Sequence, residues 1–208
     1  MERDRGKFVV VEGGVGSGKT TQLFKIKDCV GVGKEWTWVR EPGSTVFGER
    51  IRNAVQGLYT DPIEPYAALL AYSSARANLI RGLVIPKIEG GISVGQDRYW
   101  YSTWAYQGAE GVSKPIIWFI SMIATRMFKP DLVLHYDLLP EIGMARKTGQ
   151  PDLDRYDTQL IKFHQKVRNN YHQLRRLYPG IWRVIDASKG IEEVFEDTKK
   201  ILREFDII

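Results

Sequence analysis

The stretch KFVVVEGGVGSGKTTQ, residues 7–22, constrains this chain more than any other. An apolar run gives way to glycines, and the glycines end in Gly-Lys-Thr-Thr. Gly13, Gly14, Gly16, Ser17, Gly18, Lys19 and Thr20, with Val15 among them, match the pattern G-x-x-x-x-G-K-[ST] in full. The flanks match too, with a buried strand before the loop and a helix after it. Glycines let successive backbone N–H groups turn inward as an anion nest, and the helix N-terminus adds partial positive charge. Lys19 then reaches the outer phosphates of a nucleoside triphosphate, Thr20 offers its hydroxyl to Mg²⁺, and Thr21 extends the phosphate site. A parallel α/β sheet is the fold such a loop belongs to.

The rest of the chain agrees. Apolar runs predict strands at 7–12, 36–41, 92–97, 131–137 and 181–186. Between them, helical periodicity covers 19–30, 47–56, 64–89, 100–108, 114–128, 140–147 and 157–178, with an amphipathic helix at 191–205. The sequence Gly31-Val32-Gly33 should stop the first helix, and Pro86 should kink or end the long one. The expectation is one α/β domain over 1–208: a three-layer P-loop NTPase fold, a five-stranded parallel sheet with helices on both faces, and a lid loop at about 146–156. No run of about 18 apolar residues predicts a membrane span. No signal-peptide pattern precedes the first strand, and the single cysteine, Cys29, suits a reducing cytoplasmic setting. The net charge is +5, without a run of basic residues, which fits small phosphorylated ligands and argues against nucleic acid as a partner.

The loop alone does not choose between an ATPase, a motor and a small-molecule kinase, and no N-K-x-D supports a GTPase. Four further patches discriminate. In REPGSTVFGERIR (40–52), a turn past the second strand leads to Arg50 and Arg52, and an arginine there can fork onto a phosphate. In LLAYSSAR (69–76), Tyr72 and Arg76 share a helix face, where a ring can stack on a base and a guanidinium can bond its edge. In DRYWYSTWAYQG (97–108), Asp97 ends a strand expected beside the first, where a carboxylate can serve Mg²⁺. Arg98 follows it, and Ser102, Thr103, Tyr106 and Gln107 lie on the next helix, while Trp100 and Trp104 read as packing or dimer contacts. The polar loop from Arg146 to Arg155 has the composition of a lid that brings cationic charge to a transferring group. The histidines His135, His164 and His172 read as structural.

Taken together these patches resemble the thymidylate kinase (dTMP kinase) family of P-loop nucleoside-monophosphate kinases, over nearly the whole chain. The resemblance implies transfer of the γ-phosphoryl group from ATP to dTMP with Mg²⁺, and a homodimer through long helices. It implies that Tyr72 stacks on thymine, Arg76 bonds the base edge, and Thr103 and Gln107 line the base pocket. Arg52 and Arg98 would hold the dTMP phosphate, Tyr106 would crowd the 2′ position, and Thr20 and Asp97 would serve Mg²⁺. Gly16 stands where one type of the family has a loop arginine, so Arg146 and Arg155 of the lid join Lys19 and Arg98 as catalytic residues, with adenine near Arg146 and the 187–190 turn. One departure stands out. Val15 occupies the position of a usual acid that binds the sugar 3′-hydroxyl. Either another group substitutes or 3′ selection weakens, and the expectation is poor discrimination against 3′-deoxy or 3′-substituted analogues. A deoxynucleoside kinase, another nucleotide kinase and a catalytically decayed nucleotide-binding module are the alternatives.

Overall fold

The computed structural model describes residues 5–30, 35–57, 59, 61–148 and 154–208. In chain order the elements are β1 (Phe8–Gly13), α1 (Lys19–Val30), β2 (Trp36–Arg40), α2 (Val46–Gln56), α3 (Pro65–Leu79), α4 (Ile85–Glu89) and β3 (Ser93–Asp97). They continue with α5 (Trp100–Ala109), α6 (Lys114–Thr125), β4 (Leu132–Asp137), α7 (Pro140–Lys147), α8 (Ile161–Leu177), β5 (Trp182–Asp186) and α9 (Ile191–Glu204). The five strands form a single parallel sheet in the order β2-β3-β1-β4-β5.

β1 is buried along its whole length because both of its faces are covered. Period-2 alternation divides its side chains between two cores. Phe8 and Val10 pack with Leu79, Tyr99 and Tyr171 on the α3, α5 and α8 side. Val9 and Val11 pack with Leu23, Ile26, Val194 and Leu202 on the α1 and α9 side. The sheet fills one side of β1 with β3 and β2 and the other with β4 and β5. The carboxyl end of β1 therefore lies at the switch point, where open α/β sheets bind ligands. Gly95, a poor strand residue by propensity, is explained by β2: a Cβ there would come within 2.0 Å of the Trp38 ring. Trp38 in turn stacks on Trp36, with ring centroids 5.3 Å apart.

Helix starts follow local chemistry. Thr45 caps α2 by accepting from the Gly48 N–H at 2.9 Å, and Glu64 caps α3, whose first turn holds Pro65. Pro86 does not break the long helix. Five residues of π-helix, Ile80–Val84, precede it and lead directly into α4. A π turn is a wider coil, and that widening makes room for a ring that a regular α-turn would exclude. The last helical stretches are shorter than predicted: α6 ends at Thr125, where Arg126 takes a left-handed conformation, and α8 begins at Ile161. The predicted stop at Gly31-Val32-Gly33 and the lid positions 149–153 lie outside the described residues. Among the described residues, no helix is long and apolar enough to cross a membrane.

Candidate active site

A cleft of about 530 Å³ opens at the carboxyl ends of β1, β2 and β3. This size suits a nucleotide-scale ligand. The glycine loop forms one end. Gly14, Gly16, Lys19 and Thr20 line the cleft, and Gly13, Ser17, Gly18 and Thr21 complete the loop and the first turn of α1. Gly16 has φ +60°, and a Cβ there would meet the Gly143 carbonyl at 2.1 Å, so neither the backbone nor the space admits a side chain.

Lys19 reaches to 4.0 Å from Asp97. Burial lowers its pKa, and Arg98 lowers it further against the pull of Asp97 and Glu12. The parallel register sets Asp97 beside Val11, as the sequence led one to expect, which brings its carboxylate next to the loop. Its Oδ1 is buried without a hydrogen-bond partner. A buried carboxylate oxygen without a hydrogen bond, in a cleft that Thr20 also lines, suits a hard cation such as Mg²⁺.

Arg98 is held in an unusual way. Its φ is +67°, a left-handed conformation that costs a non-glycine residue about 1–3 kcal/mol. The fold compensates with contacts. Arg98 donates to Ser102 Oγ at 2.8 Å and lies over the Tyr106 ring, 5.1 Å from its centroid. Behind it sits Glu12, fully buried at the end of β1. Glu12 accepts from the Tyr99 N–H at 2.8 Å, Ser102 Oγ at 2.7 Å and the Tyr171 hydroxyl at 2.8 Å. Burial pushes its carboxyl up, while Arg98 and these hydrogen bonds pull it down. Glu12 is thus the buried counter-charge that orients the residues around Arg98.

Arg76 does not itself line the cleft: it is 3% exposed and sits behind two lining residues, donating through Nε to Glu41 at 2.6 Å and through Nη2 to Thr103 Oγ1 at 2.9 Å. Gln96 donates to the second oxygen of Glu41 at 2.8 Å. Arg76 Nη1 is buried with no partner. Tyr72 lines the cleft beside it, its hydroxyl 3.3 Å from that of Tyr156. Gln107 donates to the Tyr156 hydroxyl at 2.7 Å. Arg52 lines the stretch between the two ends and donates to the Pro42 carbonyl at 3.2 Å.

The cleft thus gathers Arg52, Tyr72, Asp97, Arg98, Thr103, Tyr106 and Gln107 around the loop. The two lid arginines part company. Arg146 ends α7 and donates to the Gly16 carbonyl at 3.4 Å and to the Ala187 carbonyl at 3.0 Å, on the loop's far flank. Arg155 pairs with Glu110 at 3.1 Å and with the Tyr156 hydroxyl, at the Tyr72 end and apart from Lys19. Sequence reasoning passed over Glu12, Glu41, Tyr156 and Tyr171 and set His164 aside as structural, although His164 lines the cleft. An acid closing the otherwise apolar run KFVVVE was the available signal for Glu12.

The family model for thymidylate kinase matches residues 11–198. The chain belongs to the thymidylate kinase family. It is 37% identical over 201 residues to the thymidylate kinase of Carboxydothermus hydrogenoformans, covering 95% of this chain and 97% of that one. It is 36% identical over 200 residues to the thymidylate kinase of Shewanella frigidimarina, covering 95% of this chain and 93% of that one. A thymidylate kinase of Deinococcus radiodurans is 38% identical over 197 residues, with 91% and 93% covered. The resemblance drawn from motifs alone thus extends over the chain, and the parallel sheet is that of a P-loop NTPase. Against that background, Val15 in the loop of this thymidylate kinase family member is a wall of the cleft that can form no side-chain hydrogen bond.

Proposed function

We propose that this chain transfers the γ-phosphoryl group of ATP to dTMP, giving ADP and dTDP and so supplying dTTP synthesis. The observation that carries this reading is one cleft lined both by the triphosphate loop and by Tyr72, Thr103 and Glu41, with Arg76 paired to Glu41 just behind its wall. The acceptor phosphate is a nucleophile at neutral pH, so no strong general base is required. An acceptor oxygen forms a bond to the γ-phosphorus as the bond to the bridging oxygen of ADP breaks. Catalysis is then positioning and charge neutralisation.

In this reading Arg52 and Arg98 hold the acceptor phosphate toward Lys19. Tyr72 stacks on the base, the unpartnered Nη1 of Arg76 meets its edge, and Thr103 and Gln107 shape the base pocket. Tyr106 closes over the sugar. Thr20 and Asp97 would hold Mg²⁺, which when bound would neutralise charge on the phosphates. Arg146 takes the adenine side, near Ala187. Arg155 is a lid residue that would have to leave Glu110 to approach the transferred group. The chain works as one kinase domain in the cytoplasm, with ATP and dTMP as its partners.

The test of acceptor class is turnover of dTMP against thymidine, followed by ADP release. dTMP should lead by orders of magnitude, and Arg52→Ala should raise its KM about tenfold or more, the scale of a lost charged hydrogen bond. Turnover led by thymidine would move the chain to the nucleoside kinases and undo the roles of Arg52 and Arg98.

A homodimer belongs to the same proposal. On α6, Trp118, Phe119 and Ile123 are 45%, 60% and 55% exposed, and Leu70 on α3 is 57% exposed. Large side chains grouped on two packed helices mark an association surface. Phe119→Asp should turn a dimer into a monomer in sedimentation equilibrium. A wild-type monomer at micromolar concentration would contradict the assignment.

A further inference from the structure

We infer that His164 reads the sugar of the acceptor nucleotide by hydrogen-bonding its 3′-hydroxyl, where Val15 cannot. The inference rests on dTMP being the acceptor. His164 lies near the start of α8, is 3% exposed, and lines the cleft. Neither ring nitrogen makes a hydrogen bond of good geometry within the protein, the Tyr156 carbonyl being its nearest candidate. Buried polar groups are nearly always paired, so an imidazole left open at a cleft wall calls for a ligand. His135 also has an unpaired nitrogen, but it packs under Tyr171 and Trp182, outside this cleft.

The position selects the ligand group. His164 and Val15 also share a small recess behind the cleft with Gly14 and Tyr171, which places them on one wall next to the phosphate loop. Arg98 and Lys19 occupy the phosphate end, and Arg76 with Tyr72 the base end. What lies between is sugar. A 2′-deoxynucleotide has one free hydroxyl there, the 3′, and of the groups beside Val15 the imidazole lines the cleft with both ring nitrogens open to it. Burial lowers the His164 pKa, partly offset by Asp157, Asp154 and the Tyr156 carbonyl. The neutral ring offers one N–H donor and one nitrogen acceptor, and a hydroxyl can use either. Another group substituting at the 3′ position, one of the two outcomes open from Val15, thus has a named residue.

The experiment compares kcat/KM for dTMP and 3′-deoxythymidine monophosphate in wild type, His164→Leu and His164→Asn. Wild type should favour dTMP about tenfold, the scale of one buried hydrogen bond left unmade. His164→Leu should bring the ratio near one by lowering kcat/KM for dTMP alone, with KM for ATP unchanged. His164→Asn should keep part of the preference. Leu fills much of the space of the ring, so the fold should hold; were it to fail, the wild-type ratio and the Asn variant decide. Wild-type turnover of dTMP without preference, an unchanged ratio in His164→Leu, or equal losses on both substrates would overturn the role of His164 alone. No turnover of dTMP at all would overturn the proposed activity, and this role with it.

Discussion

Lys19→Ala is expected to leave a folded protein with turnover reduced about 10²–10³-fold, a loss of about 2.7–4 kcal/mol of transition-state stabilisation by analogy with removing one preorganised donor. In the proposed reaction Lys19 is the cation that reaches the phosphates from the loop, and a cation in a water-poor cleft acts on developing charge far more strongly than one in solvent. The same surroundings make the charged lysine a burden on the fold: burial and the nearby Arg98 lower its pKa, and its carboxylate partner, Asp97, is 4.0 Å away. Removing the ammonium should therefore leave the melting temperature unchanged or raise it while turnover collapses. Arg98→Ala should lose turnover on the same scale, since it removes the guanidinium that Ser102 and Tyr106 steady. Measured kcat and Tm together check both variants. Retention of more than a tenth of wild-type turnover by either would contradict the assigned roles.

Glu41→Ala is the substitution expected to damage the fold most. It leaves the Arg76 guanidinium, 3% exposed, without its carboxylate and strips Gln96 of its acceptor on Glu41. Breaking a buried ion pair from one side costs about 3–5 kcal/mol. For a chain of this size each kcal/mol moves the melting temperature by roughly 2–4 °C, so a fall of about 10 °C is expected. The double variant Glu41→Ala/Arg76→Met removes both charges and should recover much of that loss, because the penalty belongs to the orphaned charge. It should not recover kcat/KM for dTMP, because the base-edge donor is gone. Thermal unfolding and steady-state kinetics on the pair separate the two effects. A Tm fall no smaller in the double variant would show that Glu41 acts by packing and not as the partner of Arg76.

Much of the fold was legible because it rests on local periodicity. The buried run of β1, the strand around Trp36 and Trp38 and the glycine loop each declare themselves within a few residues. Pro86 was expected to kink or end the helix, and the helix does not end there because a π turn just before it absorbs the ring. The residues proposed to hold phosphate, base and sugar stood out in the sequence as motifs, and most of them line one cleft. What holds them did not stand out. Glu12 meets Tyr171 across 159 positions, and Glu41 meets Arg76 across 35. No spacing in the sequence encodes such pairs, since only tertiary packing brings α8 to Glu12 and α3 to Glu41. Arg155 shows the same gap in reverse. Composition marks a cationic loop but does not say that the guanidinium turns toward Glu110.

The central claim is phosphoryl transfer to a deoxynucleoside monophosphate, and product analysis tests it most directly. The protein is mixed with Mg²⁺, γ-labelled ATP and dTMP, and the nucleotides are separated over time. The account predicts label appearing in dTDP at the rate ADP forms, one for one, and none in the absence of dTMP. Release of free phosphate without dTDP, label in thymidine products alone, or bound ATP that never turns over would contradict it.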